Sequence, residues 1–315
     1  MENLVETKFD LVSNEINIVK QYLDFIDVTN NTIDTYKNGL KMFFLYLREN
    51  NIKNPEREDI IDFREILKSS HSLSTVNTYL ISIRNFFKWL EYENLYKDIT
   101  KNIKGVKISR EHKREALTEK QINLVLSKSK DTREKIIFLL GVCCGCRANE
   151  ICNIQLSDFV LKGDKTLLYL LGKDRDGKVD YVVIGNDLYN LICDYVKEYK
   201  ISNYLITSEY KNDGSKVTNK TIRYIVKQML RRVGIDNEMY SCHSLRHSFA
   251  TLNLLDGKDI RELSKAMRHK NVATTEIYAH DLEQRNNKCF TGLSERFVNN
   301  NGWWETRNNL SINEF

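Results

Sequence analysis

The sequence predicts a mainly α-helical protein of two domains, with one small antiparallel β-sheet in the second domain. Apolar residues recur at helical spacing along most of the chain, and one region changes to the alternation typical of strands. A single proline occurs in 315 residues, which suits long helices. The apolar content of 41% allows a packed core, and the length is sufficient for two ordinary domains.

The first domain, residues 1–104, is predicted to be a helical bundle. The stretches "NTIDTYKNGLKMFFLYLREN" and "LSTVNTYLISIRNFFKWLEYE" each carry an aromatic-rich apolar stripe at three- and four-residue spacing. Between them, Pro55 is expected just inside the start of another helix. The simplest interpretation of these apolar stripes is that they form the hydrophobic core of the domain. They comprise Ile33, Tyr36, Leu40, Phe43, Phe44 and Leu47, then Val76, Tyr79, Leu80, Ile83, Phe86, Phe87 and Leu90.

A basic stretch follows the bundle, and residues 105–115 are predicted to be an interdomain linker. The net charge of +5 is mild, but six of the 15 residues from Lys101 to Glu115 are basic. Such a stretch is usually a solvated surface, yet between two domains it is well placed to lie along a phosphate backbone. The expected DNA contacts are Lys101, Lys104, Lys107, Arg110, Lys113 and Arg114.

The second domain, residues 116–289, is predicted to begin with a capped helix at Thr118, with Gln121 completing a capping box. A helical pattern then runs through "TREKIIFLLGVCCGCRANEICNIQLSDF". In "KTLLYLLGKDRDGKVDYVVIG" two strand-like runs flank the Asp-Gly pair at 176–177, which predicts a hairpin. Helical patterns resume until Gly257, which is placed as a helix-terminating glycine.

The seven cysteines are interpreted as free thiols. Four of them lie between 143 and 152, among apolar residues on a predicted helix, without the paired spacing of a zinc site. Buried thiols are therefore favoured over a metal site, and a reducing, cytoplasmic compartment is expected. No apolar run is long enough to span a membrane, and the first residues do not have the pattern of a secretory signal.

A few polar residues have spacings that suggest chemistry on a phosphate. Arg147 and Glu150 are three apart, as are His243 and Arg246, and this spacing places each pair on one side of a helix. Taken singly, such pairs are usually surface salt bridges, and a lone tyrosine is usually core or surface. Arginine forks match the oxygens of a phosphate, whereas a tyrosine with a normal pKa near 10 needs nearby cations to act as a nucleophile.

The sequence lacks the glycine-rich loop of ATP-binding proteins, the serine elbow of hydrolases and a carboxylate cluster for two metal ions. Two arginines, a lysine, histidines and a tyrosine instead fit reversible cutting of a nucleic-acid strand. Cations stabilise the charge of the transition state, and a covalent phosphotyrosine conserves the bond energy. No cofactor and no metal ion are expected.

The chain resembles the tyrosine recombinase (phage integrase) family in four stretches that occur in the family's order. These are "GCRANEICNIQLSDF", "GKDRDGK", "HSLRHSFAT" and "RHKNVATTEIYAH". The resemblance implies that Arg147 and Arg246 hold the scissile phosphate and that Tyr278 attacks it. It also implies that His243 and His269 hydrogen-bond the phosphate and that Glu150 orients the site.

The resemblance further implies that Lys173 donates a proton to the leaving 5′-oxygen. Lys178 is the alternative, because the alignment of a hairpin is uncertain by a few residues. The family's two domains close as a C-shaped clamp on double-stranded DNA core sites with inverted repeats, and four protomers act on two sites. A simple Xer-like enzyme without an arm-binding domain is expected. Residues 290–315 are expected either to dock on a neighbouring protomer or to pack on their own domain.

Two alternatives remain open at this stage. One is a catalytically silent DNA-binding or architectural protein of the same fold, which would need the arginines but not the tyrosine. The other is a type IB topoisomerase-like enzyme, which uses related chemistry as a monomer.

The sequence departs from the family pattern at Arg268, where a glycine usually precedes the histidine. Either the turn takes a different shape there or Arg268 accepts the strain of a left-handed conformation, and its side chain could add a phosphate contact. One continuous helix would hold His269 and Tyr278 on opposite faces. A turn over residues 268–271 is therefore predicted, with Asn271 capping a second short helix and Tyr278 near that helix's end.

Overall fold

The computed structural model describes residues 11–107, 115–172, 177–208, 214–269 and 271–285. The chain divides into two compact units, Met1–Glu111 and His112–Phe315. Both units are mainly helical, and a three-stranded antiparallel sheet lies in the second. The predicted fold class is thus confirmed. In the part of the chain described, no helix combines the length and apolarity needed to cross a bilayer.

The first unit is built from four helices around an aromatic core. They are α1 (Glu15–Phe25), α2 (Asn30–Glu49), α3 (Arg57–Ser70) and α4 (Leu73–Tyr92). The predicted stripes form the contact between α2 and α4, where Phe43 and Phe87 meet edge to face. Phe43 makes a second edge-to-face contact with Phe63 on α3. These side chains are buried, as expected for a structural core rather than a ligand site.

The prediction that Pro55 lies within the first turn of α3 was wrong. The helix begins at Arg57, and Glu56 is its N-cap, with extended backbone angles and a capping box closed by Asp59. The backbone N–H of Glu56 donates to the Asp59 carboxylate at 2.6 Å. A complete capping box determines where the helix starts, so the proline falls just before it.

The beginning of the basic stretch is held against the first unit. Ile103 is buried, and Val106 exchanges two hydrogen bonds with the Asn77 side chain, at 2.7 and 2.8 Å. The lysines among these residues are exposed, and one of them pairs with a glutamate on α4. The exposed set is Lys101, Lys104 and Lys107. The other three predicted linker contacts, Arg110, Lys113 and Arg114, lie outside the described residues, so the linker boundaries stay a prediction.

The second unit surrounds the sheet with helices. Its helices are α5 (Glu119–Ser127), α6 (Thr132–Cys144), α7 (Ala148–Ile151), α8 (Asn186–Glu198), α9 (Asn219–Arg232), α10 (Cys242–Leu255), α11 (Ile260–Ala266) and α12 (Ala273–Arg285). The strands are β1 (Phe159–Lys162), β2 (Lys165–Leu170) and β3 (Asp180–Ile184), in that spatial order. The predicted hairpin corresponds to β2 and β3, whereas β1 was not predicted.

The helical pattern predicted from residue 132 through 159 does not form one helix. Helix α6 ends at Cys144 because Gly145 adopts a left-handed conformation with φ of 58°. A side chain at Gly145 would also approach the Phe249 ring to 2.8 Å. The chain then forms α7 and a short 3-10 turn before entering β1. Cys143 is exposed at the end of α6, contrary to its predicted burial, while Cys144 is buried as expected.

Close packing of α6 on α10 places the loop after α6, which carries Arg147, beside His243 and Arg246 of α10. A side chain at Gly141 would come within 2.7 Å of Leu245, so the glycine allows the two helices to approach. The caps predicted at the start of α5 and after the end of α10 are confirmed. Thr118 and Gln121 form a capping box, and Gly257 has a φ of 76° after α10.

Candidate active site

Arg147 and Glu150 form an ion pair at the start of α7. The Arg147 guanidinium donates to Glu150 Oε1 at 2.7 Å, and the Arg147 backbone N–H donates to Oε2 at 2.8 Å. The Glu150 side chain is 3% exposed, against 31% for Arg147. Burial raises the Glu150 pKa, but Arg268 and Arg147 together outweigh it and leave the pKa below its ordinary value. Glu150 is therefore a buried anion that holds Arg147 in place.

Arg246 is a fully buried guanidinium that reaches from α10 to two neighbouring loops. It is 1% exposed, and its Nη1 donates to the Gly145 carbonyl at 2.5 Å. Its Nη2 donates to the Met267 carbonyl. Burial, followed by repulsion from Arg147 and Arg268, lowers its pKa to about 9. The group is still charged at neutral pH, and a bound anion would relieve the repulsion.

His243 lies in the first turn of α10, where helix N–H groups point outwards. Ser241 caps this helix, and its side chain accepts from the His243 backbone at 3.3 Å. A helix N-terminus favours a phosphate, because its N–H groups are unsatisfied and its dipole is positive there. His243, Arg246 and Arg147 line one cavity of about 1100 Å³. The structure thus brings together three of the four residues predicted to bind the phosphate.

Tyr278 lies in the middle of α12, not near its end as predicted. It is 8% exposed and packs with Leu263 and Met267 of its own chain. Burial raises its pKa, and the charges of Arg246 and Arg147 oppose that rise. The tyrosine is consequently protonated at neutral pH, and further help is needed for it to act as a nucleophile.

His247 links the tyrosine to the first turn of α10, and the sequence reasoning missed it. Its ring lies edge-on to Tyr278 with centroids 4.9 Å apart, and edge-on to His243 at 5.0 Å. The side chain is 6% exposed. The spacing of four from His243 was a signal that could have identified it, since such residues share a helix face.

His269 lies in the predicted turn between α11 and α12. The helices are separated as predicted, and the Asn271 side chain, one residue before the N-cap position, accepts from the Ala273 backbone at 3.0 Å at the start of α12. Nδ1 of His269 is 2.8 Å from the hydroxyl of Thr275, which is fully buried. Burial, followed by the charges of nearby cations, lowers the His269 pKa to about 4, so the ring is neutral at physiological pH.

Of the two alternatives for Arg268, the structure shows the strained one, a left-handed conformation with φ of 55°. Its side chain is directed into the protein interior. It is 5% exposed and donates to Glu150 Oε2 at 2.7 Å and to the Gly145 carbonyl at 3.2 Å. The expected phosphate contact is therefore at odds with this geometry, because the buried carboxylate attracts the guanidinium inwards.

Lys178, the alternative general acid, is engaged elsewhere. It pairs with the buried Asp158 and donates to the Asn153 carbonyl at 3.1 Å and to the Gln155 side chain at 3.2 Å. These contacts argue against Lys178 as the proton donor. Lys173, the preferred candidate, lies outside the described residues.

Two further basic residues line the same cavity and were not singled out from the sequence. Arg223 and Lys227 follow Asn219 at four-residue steps on α9, while the opposite face of that helix is buried. Arg223 is exposed, whereas Lys227 pairs with Asp236 at 3.1 Å. A polar stripe at this spacing on an amphipathic helix was the available signal.

Metal chemistry has no obvious location in the part of the chain described. No group of three or more His, Cys, Asp or Glu residues there is arranged to hold an ion. Burial raises the pKa of Cys146 and Cys242 to about 12, which keeps both thiols protonated. These cysteines are core residues.

Family models match both units of the chain. Residues 115–285 match the phage integrase family, and residues 19–94 match the phage integrase N-terminal SAM-like domain. The chain belongs to the phage integrase family. The resemblance inferred from the four sequence stretches is thus confirmed, and so is its assignment as a tyrosine-type site-specific recombinase.

Named relatives and solved structures agree with this membership. The chain is 30% identical to tyrosine recombinase XerA of Pyrococcus horikoshii over 258 residues, which cover 82% of this chain and 85% of the relative. It is 28% identical to XerD of Staphylococcus haemolyticus, over 84% and 93% of the two chains. Its fold is similar to XerH bound to a palindromic difH substrate in a post-cleavage complex. That match has a TM-score of 0.74, 20% identity, and coverage of 92% and 99%.

A lambda integrase dimer bound to a core site also shares the fold. The TM-score is 0.67 and the identity 14%, over 82% of this chain and 96% of the other.

Proposed function

We propose that Tyr278 of this recombinase cleaves one DNA strand and remains joined to its 3′ end as a phosphotyrosine. The observation that carries the proposal is the ring contact of Tyr278 with His247, on the helix that also bears His243 and Arg246. A buried tyrosine in an ordinary core would not be expected within reach of two arginine charges, here those of the buried Arg246 and of Arg147.

The proposed phosphate site lies in the cavity at the N-terminus of α10. Arg147 and Arg246 would each donate to non-bridging oxygens of the scissile phosphate, and His243 would donate a third hydrogen bond. Arg246 is already positioned by two backbone carbonyls, so the side chain needs little reorganisation on binding. Glu150 would position Arg147 without touching the DNA.

The chemical step breaks one bond and forms one. The Tyr278 oxygen attacks phosphorus, its proton passes to His243 or to solvent, and the bond from phosphorus to the 5′-oxygen breaks. The leaving oxygen keeps the electron pair and takes a proton from Lys173. The reverse reaction, in which a 5′-hydroxyl attacks the phosphotyrosine, rejoins a strand without ATP because the phosphodiester energy is retained.

His269 would act as a neutral donor to the same phosphate. If the Thr275 hydroxyl donates to Nδ1, the ring proton resides on Nε2, which is then available to a phosphate oxygen. A pKa of about 4 keeps this arrangement intact across the physiological range.

The assembly is also part of the proposal. As the resemblance to the tyrosine recombinases implies, the chain would bind a double-stranded core site with inverted repeats, and four protomers would join two sites. Lys101, Lys104 and Lys107, which are exposed, would follow the phosphate backbone. Residues 290–315 lie outside the described residues, so their docking on a neighbouring protomer or packing on their own domain stays a prediction. The enzyme would act on DNA in the cytoplasm.

The test is covalent trapping on nicked DNA. A pool of randomised duplexes is first enriched for binding by the protein, and a substrate with a nick beside the cleavage position is built on the enriched sequence. After cleavage the short fragment diffuses away, so the phosphotyrosyl complex accumulates and is seen as a shift on a denaturing gel. Tyr278→Phe should bind the DNA and form no such complex. Tyr199→Phe is the matched control, because Tyr199 is exposed at the end of α8.

Mapping the linked peptide to Tyr278 would complete the support. A wild-type protein that binds the enriched DNA but never forms a covalent link would favour the silent DNA-binding alternative. Relaxation of a plasmid without any enriched site would instead favour the topoisomerase-like alternative.

A further inference from the structure

Arg268 stands at the centre of a charge network that involves both proposed phosphate-binding arginines. Its Nη2 donates to Glu150 Oε2 at 2.7 Å, and the other oxygen of that carboxylate accepts from Arg147 at 2.7 Å. The same Nη2 also donates to the Gly145 carbonyl at 3.2 Å, and that carbonyl accepts from Arg246 at 2.5 Å. Arg268 thus shares one acceptor with each of the two arginines.

The backbone at this position makes an arginine an unusual choice. A φ of 55° is costly for a residue with a Cβ and free for glycine. In addition, Nε of Arg268 is buried, without a hydrogen-bond partner among the described residues. A residue that carries both costs is a reasonable candidate for a functional role.

The charges of Glu150 and of the arginines near it explain how this network holds together. Three guanidinium groups surround one buried carboxylate, and both Glu150 oxygens are occupied by Arg268 and Arg147. Arg246 itself donates to the Gly145 and Met267 carbonyls, so it meets this network at Gly145 and not at the carboxylate. Arg268 also anchors the Gly145 carbonyl, which is one of the two groups that hold Arg246.

We propose that Arg268 is a positioning residue that locks Arg147 and Arg246 to each other through Glu150 and the Gly145 carbonyl, and that it does not contact DNA. This inference rests on the proposed function, since it assumes that the two arginines hold the scissile phosphate. The arginine that stands at position 268 in place of the usual glycine would thus serve to hold the phosphate-binding arginines in place.

Salt dependence of DNA affinity distinguishes positioning from contact. Each lost phosphate contact reduces the slope of log affinity against log salt by about 0.9. Arg268→Gly accommodates the left-handed turn, and we expect it to leave this slope unchanged and the Kd within about twofold. Single-turnover cleavage at saturating DNA should fall about tenfold or more. Arg268→Lys should recover part of the rate, because it keeps the charge but cannot donate in two directions as a fork does.

Arg261→Gln is the matched control, since it removes an exposed arginine of α11. A slope reduced by about one in Arg268→Gly would identify a DNA contact and overturn the proposal. Cleavage by Arg268→Gly at the wild-type rate would do the same. A loss of thermal stability with unchanged cleavage at low temperature would show a merely structural role, which also contradicts it.

A second measurement does not depend on cleavage. Urea unfolding of Arg268→Gly, Glu150→Gln and the double variant reports whether the two side chains act as a unit. We expect the double variant to shift the urea midpoint no further than the worse single variant. Strictly additive shifts of the midpoint would show that the two side chains act independently and would refute the proposal. If wild type forms no covalent complex, the proposed function fails, while this cycle still decides whether the network exists.

Discussion

Protonation of His269 should make the second unit lose stability in mild acid. Folding lowers the pKa of this histidine from about 6.5 to about 4, first through burial and then through the neighbouring cations. Because the folded pKa is the lower one, the unfolded chain binds a proton more readily between these values. The stabilisation is therefore complete above about pH 6.5 and is lost as the pH falls towards 4.

The magnitude follows from the two pKa values. The gap sets a ceiling of about 3 kcal/mol, at about 1.4 kcal/mol for each pKa unit. Between about pH 7 and about pH 5, the linkage relation predicts a loss of about 2 kcal/mol from His269. Domains are stable by about 5 to 15 kcal/mol, so this loss is measurable.

The assay compares wild type with His269→Gln, which cannot titrate. All seven cysteines lie in the second unit, so pulsed labelling of thiols in urea reports on that unit specifically. A pyridyl disulfide is a suitable reagent because it also reacts in mild acid. His280→Gln is the control, since His280 is exposed on α12.

The predicted result is a difference between wild type and His269→Gln that shrinks by about 2 kcal/mol from about pH 7 to about pH 5. Taking this difference cancels the pH-dependent contributions that the two proteins share. A difference that is constant with pH, or that grows in acid, would refute the reasoning. It would mean that His269 is not held neutral by burial and by the arginines.

Three other predictions concern the cavity and its supports. Arg223→Gln should reduce the salt slope of DNA binding by about one, with cleavage at saturating DNA nearly unchanged, because its side chain is exposed on the cavity wall. An unaltered slope in filter-binding titrations would contradict this role. Thr275→Val should slow single-turnover cleavage about tenfold while the protein still binds DNA, because His269 loses the partner that sets its tautomer. A wild-type rate would show that the tautomer is set elsewhere. Gly145→Ala should destabilise the second unit by about 2 kcal/mol or more, because a Cβ would meet Phe249 at 2.8 Å in a left-handed conformation. Thiol labelling in urea measures the change, and a loss below about 0.5 kcal/mol would argue that Phe249 moves aside without cost.

Much of the fold could be predicted from the sequence, because periodic apolar residues report directly on which helix faces are buried. The stripes around Phe43 and Phe87 are an example, as is the capping box at Thr118. The prediction of one helix across residue 145 was wrong because helical periodicity continues there, while a single glycine with positive φ ends the helix. Strand β1 was missed because it is only four residues long and three of those residues are exposed.

For the candidate site, the sequence by itself determined the chemical types of the residues and their order along the chain. Arg147, His243, Arg246 and Tyr278 were identified in this way, because their spacings recur in a known family. Tertiary structure decided which side chains face one another. The four-residue spacing from His243 could have placed His247 on the same helix face, but its ring contact with Tyr278 depends on the packing of α12 on α10.

Arg268 illustrates the same division. Its sequence position indicated either strain at Arg268 or a turn of different shape, and φ of 55° shows that the strain is accepted. The direction of its side chain depended on a buried carboxylate 118 residues away in the sequence, at Glu150. Local sequence reports backbone preference, whereas the partner of a buried charge depends on which distant segments exclude water together, and that is a property of the folded chain.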